Sequence, residues 1–308
     1  FIFYLNPFTY LCALMSDHKS GYVNIIGSPN VGKSTLMNQL VGEKISIVTS
    51  KAQTTRHRIL GIVNEEDYQV VFSDTPGVVN SSYKLHDAMM SFVNTSLIDA
   101  DIILFITDPF EKETNHTETL EKIKHSKVPV VCMINKIDLV DQKDVTVQID
   151  YWQKQLPEAI VFPISALHIF NIEKIWDTIL DLLPVNPPYY GKDDLTDRPL
   201  KFFIAELIRE KIFEYYKKEV PYSCEVEVES FKEEKEIVKI RAIIHVERDS
   251  QRMIIIGRGG HMLKRIGTSA RKDMERFLGK KVYLETYVKV DKDWRSNDSK
   301  LKKFGYKH

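Results

Sequence analysis

Short apolar runs alternate with longer amphipathic stretches through roughly the first 185 residues. The runs rich in β-branched residues predict strands at Tyr22–Ile26, Tyr68–Ser73, Ile102–Thr107, Val128–Ile134 and Ile160–Ile164. Helical spacing of apolar residues predicts helices at Lys33–Val41, Thr117–Lys124 and Ile172–Leu183. Strands without polar alternation are typical of buried parallel strands. The alternation therefore predicts an α/β fold, a doubly wound, mixed but mostly parallel sheet.

A second pattern follows the proline-rich segment Pro184–Pro188, which should end the preceding helix and begin a linker. The predicted elements are a helix at Leu200–Tyr216, strands at Ser223–Ser230 and Ile237–Val246, a short helix before Gly257, a helix from about His261 to Leu278, and a strand at Lys281–Val290. In the first of these strands Cys and Val should face inward and Glu outward. The order α-β-β-α-α-β predicts a smaller α+β domain.

These patterns divide the chain into four parts. We predict an N-terminal extension at residues 1–19, an α/β domain at 20–185, a linker at 186–200 and an α+β domain with a C-terminal tail at 201–308. Residues 1–14 are apolar, but a membrane-spanning helix needs about 20 apolar residues. We expect Met15 to be the native start.

The charge of the chain is unevenly distributed. The 308 residues carry 43 Lys+Arg and 43 Asp+Glu, so the net charge is zero. From residue 251 onward the count is 16 against 6. A basic C-terminal part suits a polyanionic partner, although a solvated charged surface would show the same count. The three cysteines, Cys12, Cys132 and Cys224, are too few and too scattered for a disulfide framework, which favours reduced thiols and a cytoplasmic protein.

A phosphate-binding motif follows the first predicted strand. Gly27–Ser34 fits the pattern G-x-x-x-x-G-K-[ST], with a strand before it and a helix after it. Gly27 and Gly32 allow the backbone N–H groups to wrap phosphates, Lys33 supplies a positive charge, and Ser34 offers a hydroxyl to Mg²⁺. The predicted nucleotide contacts here are Gly27, Ser28, Pro29, Asn30, Val31, Gly32, Lys33, Ser34 and Thr35.

Three further loops lie at the C-terminal ends of predicted strands, where open α/β sheets bind ligands. The first is Asp74-Thr75-Pro76-Gly77, in which Asp74 can hold Mg²⁺ through water and the N–H of Gly77 can touch a γ-phosphate. In Asn135-Lys136-Ile137-Asp138, the carboxylate can accept from the N1–H and N2–H₂ groups of guanine, which favours GTP over ATP. The loop that closes over the base is Ser165-Ala166-Leu167. The predicted ligands are GTP, GDP and Mg²⁺.

The four motifs resemble those of translation-factor-related GTPases, and the run Lys51–Arg58 resembles switch I of the Era family. The resemblance implies hydrolysis of GTP to GDP and phosphate. It implies that Thr54 or Thr55 reaches Mg²⁺ in the GTP state, and that loops at about 45–60 and 74–90 switch with the nucleotide. The residues themselves do not choose between the two threonines.

No residue is predicted with certainty to be catalytic. Val78 stands where Ras-like enzymes carry a glutamine that orients water, and valine cannot hydrogen-bond water. In some GTPases that resemble this one, an asparagine at the position of Asn30 helps to hold K⁺ against the phosphates. The alternative is that Asn30 only satisfies backbone groups in a turn.

A Gly-x-x-Gly loop lies in the basic C-terminal part. Gly257-Arg258-Gly259-Gly260 separates two predicted helices, and Lys264 and Arg265 follow it. Alone, such a loop is often only a helix–helix turn. Within the order α-β-β-α-α-β it matches a type II KH domain, in which the loop clamps about four nucleotides. We therefore predict RNA binding by Gly257, Arg258, Gly259, Gly260, Lys264 and Arg265.

The combination of this GTPase pattern, a proline-rich linker and a type II KH domain resembles the Era family across residues 20–308. The resemblance implies binding near the 3′ end of 16S ribosomal RNA, with a role in rRNA processing and assembly of the 30S subunit. We expect a monomer in the cytoplasm. Peripheral association with the cytoplasmic face of the membrane stays open, as do two alternatives: a KH-like part that binds protein, and a membrane-associated signalling GTPase.

Overall fold

The computed structural model describes residues 18–78, 82–111 and 117–307. The chain forms two compact units. The first contains the residues up to Ser46, Arg58–Val78 and Phe92–Asp197, and the second contains Ile47–His57, Val79–Ser91 and Arg198–His308. Two short stretches from the first half of the sequence thus belong to the C-terminal unit. The predicted linker at residues 186–200 divides the chain at one point in the sequence, so it does not assign these two stretches to the C-terminal unit.

The first unit is built on a twisted α/β sheet. Its elements are β1 (Lys19–Gly27), α1 (Lys33–Val41), β2 (Ile59–Asn64), β3 (Tyr68–Asp74), the end of α2 (Lys84–Ile98), β4 (Ile102–Thr107), α3 (Thr117–Lys124), β5 (Val130–Ile134), α4 (Gln142–Gln155), β6 (Ile160–Pro163) and α5 (Ile172–Leu182). Among the described residues, six strands form one sheet in the order β2-β3-β1-β4-β5-β6. Among the described strands of this sheet, only the β2–β3 pair is antiparallel. The prediction of a mixed, mostly parallel sheet is confirmed.

The two outer strands differ from the sequence-based expectation. The strand β2 begins at Ile59, at the end of the stretch predicted as a switch loop, and pairs with β3 through a tight turn at residues 65–67. The strand β6 was predicted to be buried, and this is wrong. It lies at the edge of the sheet with one neighbour, so Ile160 remains 41% exposed.

The second unit has the predicted α-β-β-α-α-β order. Its elements are α6 (Leu200–Tyr215), β7 (Glu225–Glu233), β8 (Ile237–Val246), α7 (Asp249–Ile256), α8 (His261–Leu278), β9 (Lys281–Val290) and α9 (Asp298–Lys303). The strand β8 is central, antiparallel to β7 and parallel to β9. Side chains from α6, α8 and one face of this sheet form the hydrophobic core.

The helix α6 is buried on two opposite faces. Ile204, Ile208 and Ile212 pack into the core of the unit. The other face carries charged residues that are also buried, because the stretch Ile47–His57 covers it. There Arg209 donates to the backbone oxygen of Thr54. The helix therefore joins this stretch to the α+β core.

One side-chain orientation predicted for β7 is wrong. Glu225 was expected to face solvent, but it is 5% exposed. Arg56 forms an ion pair with its carboxylate at 3.2 Å, and the hydroxyl of Tyr306 donates to it at 2.5 Å. Both partners come from outside the strand, so the alternation of polar residues within β7 could not reveal them.

Candidate functional site

The loop between β1 and α1 is held in the shape of a phosphate cradle. Gly32 lies in the left-handed region at φ 105° and directly precedes the N-terminus of α1. A Cβ atom at Gly32 would lie 2.2 Å from the amide nitrogen of Asn135, and one at Gly27 would lie 2.1 Å from the backbone oxygen of Ile106. Both positions therefore require glycine, as the motif predicted.

Lys33 points back over this loop. Its Nζ donates to the backbone oxygens of Gly27 at 3.1 Å and Ser28 at 2.6 Å. Burial lowers the pKa of Lys33 to about 8, against the opposing effects of Asp74 and Glu111. A phosphate group placed in the loop would offer this ammonium a counter-charge and raise its pKa again.

Two of the four residues predicted to hold Mg²⁺, Ser34 and Asp74, lie together at the end of β3. The hydroxyl of Ser34 donates to Oδ2 of Asp74 at 2.6 Å. A hydroxyl and a carboxylate beside a phosphate loop are the hard oxygen donors that Mg²⁺ prefers, so these residues fit the ion. Thr75 donates to the backbone oxygen of Ile25 at 2.7 Å, which fixes the loop that follows. A Cβ atom at Gly77 would lie 2.6 Å from Cα of Pro29, so the two loops touch.

The residues predicted to bind the base form one connected group at the ends of β5 and β6. The side chain of Asn135 donates to the backbone oxygen of Val31 at 2.7 Å and accepts from the backbone N–H of Ala166 at 2.9 Å. It therefore ties the phosphate loop to the base loop. The hydroxyl of Ser165 donates to Asp138 at 2.6 Å, which orients the carboxylate that would read guanine.

The neighbouring side chains shape the rest of the base site. The Nζ of Lys136 donates to the backbone oxygen of Asn30 at 2.6 Å and forms an ion pair with Asp108 at 2.7 Å. Its aliphatic chain thus spans the gap between two loops. Leu167 is 70% exposed at the open side.

Sequence reasoning missed two acidic residues beside the phosphate loop. Asp108 and Glu111 follow β4 directly. Glu111 accepts hydrogen bonds from Thr107, at 2.6 Å, and from the hydroxyl of Ser28. The available signal was positional, since the end of β4 meets the same edge of the sheet as the predicted loops.

The threonines of the predicted switch I do not belong to the unit that contains the phosphate loop. Thr54 and Thr55 are buried and belong to the second unit. The hydroxyl of Thr54 donates to the backbone oxygen of Lys51 at 2.7 Å and lies 2.6 Å from that of Thr49. This contact does not decide between the two threonines as magnesium ligands. The predicted switch loop at 74–90 contains residues 79–81, which lie outside the described residues.

Two further predicted residues lie at the phosphate loop. Val78 donates its backbone N–H to the oxygen of Gly27 at 3.2 Å. Asn30 is exposed and has a left-handed backbone at φ 65°. Its exposed position leaves the choice between a potassium ligand and a turn residue open.

The Gly-x-x-Gly loop forms a tight turn between α7 and α8. Gly257, Gly259 and Gly260 all have positive φ, at 72°, 59° and 78°. Around Gly259 and Gly260 an added Cβ atom would meet nothing closer than 3.7 Å, so the loop is open on that side. A polyanionic backbone could approach there, and the N-terminus of α8 directly follows the loop.

The basic side chains predicted for RNA surround this turn. Arg258 and Lys264 are exposed. The guanidinium of Arg265 lies 4.4 Å from the ring centre of Tyr215, so the aromatic ring holds this cation at the start of α8. Sequence reasoning did not identify Tyr215, because it lies on α6, about 50 residues earlier in the chain.

Two family models match the chain, one in each of its two parts. A family model described as a 50S ribosome-binding GTPase matches residues 22–136, and a KH domain model matches residues 219–295. The chain is 44% identical over 294 residues to the GTPase Era of Staphylococcus haemolyticus, covering 95% of this chain and 98% of that protein. The chain belongs to the Era family of GTPases. The chloroplastic GTPase ERA1 of Zea mays is also 44% identical, covering 97% of this chain and 72% of the relative.

Solved structures of Era are similar over nearly the whole chain. One is a complex of Era with MgGDPNP and nucleotides 1506–1542 of 16S ribosomal RNA, with a TM-score of 0.90 and 40% identity. Another is an Aquifex aeolicus Era variant bound to GDP and AlF₄⁻, with the same TM-score and identity. Each comparison covers 94% of this chain and 100% of the other. Within the described residues of this Era-family protein, no helix has the length and apolarity needed to cross a membrane.

Proposed function

We propose that this Era-family GTPase binds 16S ribosomal RNA near its 3′ end and acts in rRNA processing and assembly of the 30S subunit, with GTP favouring the RNA-binding state. One observation carries the proposal: hydrogen bonds join the loops predicted to bind guanine nucleotide, in a chain whose C-terminal unit presents an open Gly-x-x-Gly loop. The similarity to an Era–RNA complex over 94% of the chain supports the choice of RNA.

The nucleotide site supports hydrolysis of GTP by positioning and charge. Ser34 and Asp74 would hold Mg²⁺, which neutralises charge on the phosphates when bound. Lys33 becomes fully charged against the phosphates, and the N–H groups of the loop bind their oxygens. Water attacks the γ-phosphorus and GDP leaves with the bridging oxygen.

Hydrolysis should be slow without a further source of charge. Val78 offers no side-chain group to orient the attacking water, so catalysis depends on electrostatics at the phosphate loop. We propose that Asn30, exposed at this loop, helps to hold K⁺ beside the phosphates. The proposed cofactors are therefore GTP or GDP, Mg²⁺ and K⁺.

The RNA site combines close backbone approach with positive charge. The glycine turn leaves room for a sugar–phosphate backbone, while Arg258, Lys264 and Arg265 surround it. The matching GTPase model names the 50S subunit but covers only residues 22–136, which do not include this turn. The whole-chain similarity is to Era bound to 16S RNA, and it favours the small subunit.

A pair of glycine substitutions tests the RNA site. Gly259→Asp puts a carboxylate in the turn and should reduce affinity for an oligonucleotide copying the 3′ end of 16S RNA by at least about tenfold. Gly279→Asp is the matched control, because Gly279 also has a positive φ, 63°, with open space around it, but lies at the opposite end of α8. Both substitutions strain the backbone similarly. Equal affinity of the two variants would contradict RNA binding by the loop and favour a protein partner.

Three further predictions concern where and how the protein acts. We propose a monomer located in the cytoplasm. We also propose peripheral binding to the membrane through the apolar residues 1–14, which lie outside the described residues. Flotation with liposomes, using the full chain and a chain starting at Met15, tests it. Flotation of the full chain but not of the chain starting at Met15 would support membrane binding through residues 1–14. Flotation of both forms would support a membrane-associated GTPase that does not need these residues, and flotation of neither would exclude peripheral binding.

A further inference from the structure

The last turn of α6 is capped by a residue of the predicted switch I. The ammonium of Lys51 donates to the backbone oxygens of Phe213 and Tyr216. Carbonyl groups at a helix C-terminus lack partners within the helix and carry its negative end, so a cation binds favourably there. Lys51 is therefore the cap of α6, supplied by another part of the second unit.

The same turn contacts both helices that flank the Gly-x-x-Gly loop. The hydroxyl of Tyr216 donates to the backbone oxygen of Ile255 at 2.8 Å, within α7 and two residues before Gly257. The ring of Tyr215 lies 4.4 Å from the guanidinium of Arg265 on α8. A shift or rotation of this turn must move at least one of these two contacts.

The position of Lys51 depends in turn on a predicted magnesium ligand. The hydroxyl of Thr54 donates to the backbone oxygen of Lys51 and closes a tight turn. Behind that turn, Arg56 is anchored to the backbone oxygens of Pro221 and Cys224. A threonine drawn toward a bound cation would open the turn at Lys51, while the anchor at Arg56 would limit the movement to the preceding residues.

We propose that the last turn of α6 transmits the nucleotide state to the Gly-x-x-Gly loop. Lys51 responds to the nucleotide, and Tyr215 and Tyr216 contact the two helices that flank the loop. The inference rests on the proposed function and specifies how RNA binding at that site is regulated. Lys51 stabilises one arrangement of the turn, and release of Lys51 changes the support that the tyrosines give to Ile255 and Arg265. Tyr216 is thus a positioning residue that does not touch RNA.

Tyr216→Phe removes the hydrogen bond to Ile255 but keeps the aromatic ring. RNA affinity is measured with a non-hydrolysable GTP analogue and with GDP, and the quantity of interest is the ratio of the two affinities. Loss of one buried hydrogen bond should reduce this ratio about threefold, toward 1, while GTP affinity and basal hydrolysis stay as in the wild type. The matched control is Tyr287→Phe, which removes an exposed hydroxyl from β9 and should leave the ratio unchanged.

Lys51→Met removes the ammonium that caps α6. Its control is Lys239→Met, which removes a cation from an exposed ion pair on β8. The ratio should fall in Lys51→Met, and adding Tyr216→Phe should reduce it no further than the stronger single change, because both act through one turn. A urea unfolding curve for each variant shows whether the fold is intact.

The outcomes separate this inference from the proposed function. Absence of RNA binding by the wild type would overturn both. The wild-type RNA affinity could respond to the nucleotide while Tyr216→Phe and Lys51→Met keep the same ratio of affinities. This result would overturn the proposed role of the last turn of α6 and leave the proposed function standing. Additive effects of the two substitutions would also contradict a shared turn.

Discussion

Replacing Arg56 by Met should strongly destabilise the second unit. Arg56 is fully buried in the second unit. Its guanidinium donates to the backbone oxygens of Cys224 at 2.6 Å, Pro221 at 3.1 Å and Tyr222 at 3.0 Å, and pairs with Glu225 at 3.2 Å. Methionine fills much of the same volume but replaces none of these donors.

The expected loss follows from the groups left behind. Removing one partner of a buried ion pair typically costs about 3–5 kcal/mol, because the remaining charge and the released carbonyls stay away from water. Glu225 keeps a hydrogen bond from Tyr306, which argues for the lower half of that range. Arg56→Lys keeps the charge but has fewer donors on one nitrogen, so it should lose about 1–2 kcal/mol.

The assay needs a signal from the second unit alone. The chain has three tryptophans, of which Trp294 is buried in the second unit at 5.9 Å from the guanidinium of Arg56. With Trp152 and Trp176 replaced by Phe, urea unfolding followed by fluorescence reports on this unit. Arg58→Met is the control: Arg58 pairs with Asp99 in the first unit and is partly exposed.

The comparison of the two variants decides the outcome. Arg56→Met should lower the free energy of unfolding reported by Trp294, whereas Arg58→Met should leave it within about 0.5 kcal/mol of the parent. If Arg56→Met also unfolds within that margin, the stretch Ile47–His57 is not anchored in the second unit as described.

Three further predictions concern the nucleotide. Asp138→Asn should weaken GTP binding by about a hundredfold or more, because the carboxylate that accepts from guanine is lost. The same change should allow binding of xanthosine triphosphate, whose C2 carbonyl accepts from the new amide. Unchanged GTP affinity in calorimetry would refute this assignment. Burial lowers the pKa of Lys33 to about 8, and bound phosphates favour its charged form. Nucleotide binding should therefore take up more protons at pH 8.5 than at pH 7, and the affinity should fall as the pH rises above 8. Calorimetry in buffers of different ionisation enthalpy measures the uptake, and equal uptake at both pH values would contradict this expectation. Replacing K⁺ by Na⁺ should slow GTP hydrolysis in the parent but not in Asn30→Ala, and equal parent rates in the two salts would exclude the potassium role.

Much of the nucleotide site could be predicted because its parts are local. Each loop follows its own strand, and glycine positions such as Gly32 show backbone geometry directly in the sequence. The parallel sheet then brings the ends of β1, β3, β5 and β6 to one edge. The link from Asn135 to Val31, across 104 residues, follows from that topology.

The contacts of the second unit could not be predicted in this way. The pairs Arg56–Glu225 and Lys51–Tyr216 join residues more than 160 positions apart, and neither pair lies in a local motif. The strand pattern of β7 placed Glu225 outward, since alternation within a strand records one sheet face and not what covers it. Glu225 is buried because Arg56, from the stretch Ile47–His57, and Tyr306 contact its carboxylate.

Control of RNA binding by the bound nucleotide is tested most directly by the affinity of the full chain for a labelled oligonucleotide copying the 3′ end of 16S ribosomal RNA. It is measured with Mg²⁺ and GDPNP, and again with Mg²⁺ and GDP, at several salt concentrations. We expect salt-dependent binding that is at least about fivefold tighter with GDPNP. Equal affinity in the two states, or affinity no greater than for a scrambled oligonucleotide, would contradict a nucleotide-controlled switch on this RNA.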